Sequence, residues 1–148
     1  MQDAREQTMQ IVALTVEGVE YAFDIGSVKE IIRYVEPQPT SSKTPWMRGV
    51  INLRGSIVPI IDLGSRLGRD DLTVDPSSAK ILVLEQGDVT VGAVVTSVDE
   101  VRTIGGEQVQ EAPPGAASAY VESVVTLDDR LVMLLDARAL ISPDERAA

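Results

Sequence analysis

Three aspartates, Asp24, Asp62 and Asp136, each end a run of aliphatic and β-branched residues, and an arginine, Arg54, interrupts another such stretch, GVINLRGSIVPIIDL at 49–63. Carboxylates held at strand ends can serve as general acid and base when their surroundings separate their pKa values. An arginine displayed by a turn can donate two parallel hydrogen bonds to a carboxylate. The rest of the usual catalytic inventory is missing: the chain has no histidine and no cysteine. That removes the commonest neutral-pH base and metal ligand, and with them thiolate nucleophiles, thiolate metal sites and disulfides. Asp70, Asp71 and Asp75 form an acidic run without the central glycine and distal glutamate of an EF-hand loop, so a solvated linker is expected there. A carboxylate-based metal-binding or hydrolytic protein is the enzymatic alternative. The expectation is a non-enzymatic binding protein with no metal and no cofactor.

Charge narrows the partners. A formal net charge of −10 repels phosphate, which argues against nucleic acid and against anionic membrane surfaces. No apolar run approaches the roughly 18 residues that span a bilayer, and the first ten residues, MQDAREQTMQ, lack the apolar stretch of a signal peptide. A soluble, cytoplasmic protein without direct membrane insertion is expected. Lacking histidine, it cannot be a histidine phosphodonor, and it lacks the alternating strands and amphipathic helices of a parallel α/β receiver.

The elements that must position these residues are short strands punctuated by Gly, Asp and Pro. Expected strands are 10–16, 19–24, 50–53, 57–62, 80–85, 89–95, 121–126 and 131–136, with VEGV and EQGD as hairpin turns. Stretches 26–32, 63–67, 98–101 and 138–141 have room for a helical turn or two. Pro59 cannot donate to a ladder, which predicts an edge strand or a bulge. Trp46 and Phe23 are expected in the core, and residues 1–8 and 142–148 as frayed tails.

The chain also contains a repeat. Gly49–Leu63 aligns without a gap on Ser123–Ala137, 74 residues on, pairing Val50 with Val124, Leu53 with Leu127, Ile57 with Leu131 and Asp62 with Asp136. Gly18, Ser27, Val28, Glu30 and Ile31 recur 69 to 70 residues on as Gly87, Ser97, Val98, Glu100 and Val101. Two β units follow, about 10–70 and 79–141, joined by a polar linker at about 68–79. Each would be marginal alone and gains by burying apolar surface on the other. The repeat supplies an internal control for Arg54. The turn NLRGS is matched by TLDDR, so the apolar frame recurs while Asn52 and Arg54 are replaced by Thr126 and Asp128. A tight turn does not require arginine, and Arg54 is therefore expected to make contacts. Asp62 and Asp136, being equivalents, are expected to share a structural duty such as binding turn N–H groups.

The segments YAFDIGSVKEII, TPWMRGVINLRGSIVPIIDL and VGAVVTSVDEV resemble the CheW-like family of chemotaxis coupling proteins, over about residues 9–141. The resemblance implies an all-β fold of two SH3-like five-stranded barrels packed as a pseudo-two-fold pair. It also implies an adaptor that joins the cytoplasmic tips of chemoreceptors to the regulatory domain of a CheA-like histidine kinase, or to other CheW-like domains, in arrays on the inner face of the membrane. Flagellar, pilus and developmental pathways reuse such adaptors. By the same resemblance Val28, Glu30, Asn52, Arg54 and Val101 are implicated in receptor binding, and Gly49 and Gly92 in kinase binding. Gly49 and Gly92 also have a plain structural reading, close backbone approach within a strand.

Overall fold

Four tight turns organise the chain, and their backbone explains their residues. In a computed structural model that describes residues 7–69, 74–113 and 119–141, β1 (Thr8–Val16) reverses into β2 (Val19–Asp24), and β4 (Met47–Leu53) into β5 (Ser56–Asp62). Likewise β6 (Lys80–Gln86) reverses into β7 (Val89–Val95), and β10 (Val121–Leu127) into β11 (Arg130–Leu135). The central residues of three of these two-residue loops both take positive φ: Glu17 and Gly18 (47° and 82°), Arg54 and Gly55 (50° and 91°), and Asp128 and Asp129 (49° and 68°). This is the geometry whose twist matches that of the flanking strands. In the fourth, Gly87 supplies φ 59°. The edge strands β3 (Val28–Arg33) and β8 (Ser97–Gly105), the short β9 (Val109–Gln110), and the helices α1 (Leu63–Arg66) and α2 (Ala137–Ile141) complete the described elements. The chain is all-β with short helices only, as expected.

The strands form two sheets with the same plan. One has the order β3-β6-β7-β5-β4, the other β8-β1-β2-β11-β10-β9. Replacing each strand of the first by its repeat equivalent yields the second, with β9 added beside β10. The Gln38↔Val50 bridge is the first copy's version of the Gln110↔Val124 pair of β9 and β10. The repeat is therefore real, but the division into units at 10–70 and 79–141 needs correction. Hairpin β1–β2 lies in the sheet of the second half, between β8 and β11, and hairpin β6–β7 in that of the first, between β3 and β5. The exchange is sealed by parallel pairs, Met133↔Tyr21 and Leu134↔Ala22 in one sheet and Ile60↔Gly92, Ile61↔Ala93 and Asp62↔Val94 in the other.

Other expectations change with this topology. Stretches 26–32 and 98–101 are strands, β3 and β8, preceded in the first case by a single 3-10 turn at Ile25–Ser27. Their alternation was hidden because one pair of positions in each breaks it: Ile31 and Val101 face solvent, 40% and 50% exposed, and Glu30 and Glu100 are half-buried, while Val28, Ile32, Val98 and Ile104 face the core as usual. Pro59 lies in an interior strand rather than at an edge. Pro59 stays paired with Val50 of β4, and the parallel pairing of β5 with β7 begins at the next residue, Ile60, so the position without an N–H precedes that ladder. The hairpin registers align Glu17, not Gly18, with Gly87. Thr8 is no tail, since it pairs with Gly105, and the Gln7 carbonyl accepts from Gly106 at 3.1 Å. Residues 1–6 and 142–148 lie outside the described residues. At the start of the linker, Arg69 is pinned by donating to the carbonyls of Val16 (2.6 Å) and Glu17 (3.0 Å); Asp70 and Asp71 lie outside the described residues, and Asp75 accepts from Ser77 N at 3.0 Å as a turn cap.

Strands from both halves share the core. Its larger cluster combines Val12, Leu14 and Phe23 of the first hairpin with Ile60, Ile81, Leu84, Val94 and Leu140. At its margin sits Arg66, 7% exposed, its guanidinium 4.4 Å from the centre of the Trp46 ring and 4.8 Å from that of Tyr120. It donates to the Leu140 carbonyl at 3.1 Å and to the Tyr120 hydroxyl at 2.8 Å, tying α1 of the first half to α2 of the second. Stacking between two rings while donating in the ring plane suits a planar guanidinium and not an ammonium. Arg66→Lys is expected to lower stability by about 2 kcal/mol, read by denaturant unfolding with Trp46 fluorescence as the reporter. Gly49→Ala should cost more, about 3 kcal/mol, because Gly49 has φ 141° and a Cβ there would lie 2.2 Å from the Gln38 carbonyl oxygen.

Candidate docking groove

Strand β3 forms an edge of its sheet, and the β4–β5 turn reaches across to it. Arg54, 67% exposed at the tip, donates through Nη2 to Oε2 of the half-buried Glu30. The pair ties turn to edge strand at the mouth of a cavity of about 490 Å³ whose lining includes Lys29, Glu30, Leu53, Arg54, Ile57 and Asp88. Ile57 is 65% exposed. The groove thus has a mostly polar lining, with the guanidinium of Arg54, the ammonium of Lys29, the carboxylates of Glu30 and Asp88, and Ile57 as its exposed apolar side chain. Asn52 holds that turn: its Oδ1 accepts from Gly55 N at 2.9 Å.

Of the residues expected to act together, only Glu30, Asn52 and Arg54 are brought together. Val28 is half-buried and packs against the core cluster. Val101 lies in the other sheet, opposite Val12 on β8, in the position that Ile31 holds on β3. Gly49 and Gly92 are both buried. A Cβ on Gly92 would lie 2.6 Å from Ile60 Cδ1 and 2.8 Å from Ile81 Cγ2. Both glycines admit close packing, by the plain structural reading. Sequence reasoning missed Ile57 and Lys29. The signal that could have found Ile57 was its strand position directly across from Asn52, which places it beside the turn.

The repeat equivalent of the groove has the same frame and opposite turn charge. Leu131, in the place of Ile57, is 67% exposed. Asp128, in the place of Arg54, accepts from Arg102 of β8 at 2.9 and 3.3 Å. Arg130 beside it donates to Glu20 at 2.8 Å and to Glu100 at 3.0 Å. Turn and edge strand are again joined by charge, but here the turn supplies the anion, and the hydrogen bond from Arg102 holds the Asp128 carboxyl below the usual carboxylate range.

The three strand-end aspartates do not converge on a site. Asp24 accepts from Gly26 N at 2.9 Å, Asp62 from Ser65 N at 3.2 Å and Asp136 from Ala139 N at 3.3 Å. Asp62, 2% exposed, also accepts from Arg48 at 2.8 Å. The two repeat equivalents therefore share the expected duty, each capping the short helix that follows its strand.

The pattern that runs through both halves also defines a family: residues 10–145 match the CheW-like domain. The chain belongs to the CheW-like domain family. It is 33% identical over 141 residues to the chemotaxis protein CheW of Klebsiella aerogenes, an alignment covering 93% of this chain and 84% of that one. With the chemotaxis protein CheW of Bacillus subtilis it shares 29% over 138 residues, covering 91% and 88%. Among solved structures, the scaffolding protein TtCheW from Thermoanaerobacter tengcongensis superimposes with a TM-score of 0.80 at 27% identity, covering 88% of this chain and 90% of that one. Two of these names describe chemotaxis proteins and the third a scaffolding protein. Among the described residues of this CheW-like chain, no helix is long and apolar enough to cross a membrane.

Asn52→Ala is expected to cost about 1 kcal/mol through the lost turn hydrogen bond, read as a lower denaturation midpoint. Asp128 carries a pH signature. Its folded-state pKa is depressed, so its contribution to stability is present above the unfolded-state value and fades as pH falls through the folded one. Asp128→Asn should flatten the acid limb of a melting-temperature profile relative to the unsubstituted chain.

Proposed function

We propose that this protein is a non-enzymatic adaptor that couples the cytoplasmic tips of chemoreceptors to a CheA-like histidine kinase in chemosensory arrays. Its membership of a family of chemotaxis scaffolds supports the role. The observation that carries the receptor-binding part is the Arg54–Glu30 groove, a cation held on a rigid turn beside the exposed Ile57. A receptor tip is a helical bundle, and an amphipathic helix laid in such a groove would place apolar positions on Ile57 and a carboxylate or carbonyl on Arg54. Arg54 is paired within the protein before docking, so its exposed donors, rather than a bare charge, are what a partner gains. Kinase binding is assigned to the strand surfaces around Gly49 and Gly92, which act by shaping backbone. A cytoplasmic role at receptor arrays on the inner face of the membrane follows from this reading.

Co-sedimentation with a receptor cytoplasmic fragment and a CheA-like kinase tests the proposal: both should be retained with the protein, and retention of neither overturns it. Arg54→Ala should weaken receptor binding by about tenfold or more, the loss of an interface anchor, with an unchanged melting profile, because an exposed ion pair contributes about 1 kcal/mol or less. Equal receptor affinity for Arg54→Ala and the unsubstituted chain would remove Arg54 from the site.

A further inference from the structure

Neither half of this chain completes either sheet from its own strands, although the second half pairs β9 with β10, β10 with β11 and β6 with β7. Among the described residues of the first half, strand pairing joins β1 to β2 and β4 to β5, with the Gln38↔Val50 bridge as the one further link. Its edge strand β3 pairs with β6 of the second half, and β5 with β7. In the second half, β8 pairs with β1 and β11 with β2. The side-chain ties run the same way: Arg66 of the first half donates to Leu140 and Tyr120 of the second, and Arg130 of the second to Glu20 of the first. The interface between the halves is thus continuous backbone pairing plus a shared core. The covalent tie between them is the segment from α1 to β6.

We propose that either half can be supplied by a second copy of this chain, so that two chains exchange halves and form a dimer of two complete units. Every hydrogen bond and core contact named above is kept in such a dimer, because each unit still holds one first half and one second half. What changes is the linker path and the entropy of bringing two chains together. A short linker gives its own halves an effective concentration in the millimolar range, so the monomer dominates in dilute solution and exchange competes as the chain concentration nears that range. Exchange requires the halves to separate along all four inter-half pairings, which amounts to unfolding. The dimer, once made, is therefore slow to revert.

The test is refolding of the unsubstituted full chain from denaturant at about 1 µM and at about 1 mM, with mass measured by light scattering after both samples are diluted to the same concentration. The expected result is a dimer fraction formed only at the high concentration and persisting for hours after dilution. Monomer at both concentrations, or a dimer that dissociates at once on dilution and so reflects a surface contact, overturns the proposal. A second arm mixes two full-length variants, Gly49→Glu, which damages the first half, and Gly92→Glu, which damages the second. Co-refolded at high concentration they should yield a cooperative unfolding transition, in a species of two-chain mass containing one of each, that exceeds the sum of the variants refolded apart. Equality with that sum counts against exchange. Should either variant fold alone, the unsubstituted chain decides the matter.

Discussion

The structure rests on two parallel strand pairings, β2 with β11 and β5 with β7. Each joins a hairpin of one half to a hairpin of the other, and between them they force both sheets to be composite. Parallel neighbours need a long connection; here it is residues 63–88 between β5 and β7 and residues 25–129 between β2 and β11. Once the hairpins are exchanged, no half can retain its core without the other, and the short helices acquire a place: α1 and α2 follow β5 and β11, the strands that make the parallel pairs. Arg66 closes the arrangement by donating from one helix to the end of the other, between two aromatic rings. Its burial is tolerated because its donors and its faces both find partners.

On this shared frame the two copies diverge where it is cheap to do so. The β4–β5 and β10–β11 turns have the same two-residue geometry and the same register, and each reaches an edge strand through charged side chains. One turn carries a cation and the other an anion. Exposed apolar residues recur at matched places, Ile57 with Leu131 and Ile31 with Val101, so the frame sets where apolar surface is offered while the turn sets its electrostatic sign. The electrostatic difference between the two sides thus comes from a few turn residues and leaves the core unchanged.

Much of this was legible along the chain. The gapless match of 49–63 on 123–137 identified equivalent hairpins, and it implied one shared structural duty for Asp62 and Asp136, binding nearby N–H groups, which the structure makes specific as helix capping. Arg54 and Glu30 were both picked out, although nothing local says they touch. The strands β3 and β8 do not read as strands along the chain because an outward Ile31 or Val101 and an inward glutamate break the alternation that Val28, Ile32, Val98 and Ile104 otherwise keep. Arg66 passed unnoticed, since an arginine in LGSRL reads as a solvated helix residue until Trp46 and Tyr120, distant in sequence, are seen to stack on it.

By itself, the sequence determined what depends on near neighbours: which turns form, through Gly and Asp at positive φ; which residues cap the helices; that the chain is β-rich and doubled; and that histidine and thiolate chemistry are unavailable to it. Only the tertiary structure decided which hairpin enters which sheet, that Pro59 lies in an interior strand, that Gly49 and Gly92 stand where a Cβ does not fit, and that Arg54 meets Glu30. Those outcomes depend on pairings between residues far apart in the chain. Two similar hairpins carry nearly the same local pattern, so the choice between them is made by the apolar surface that the whole assembly can bury.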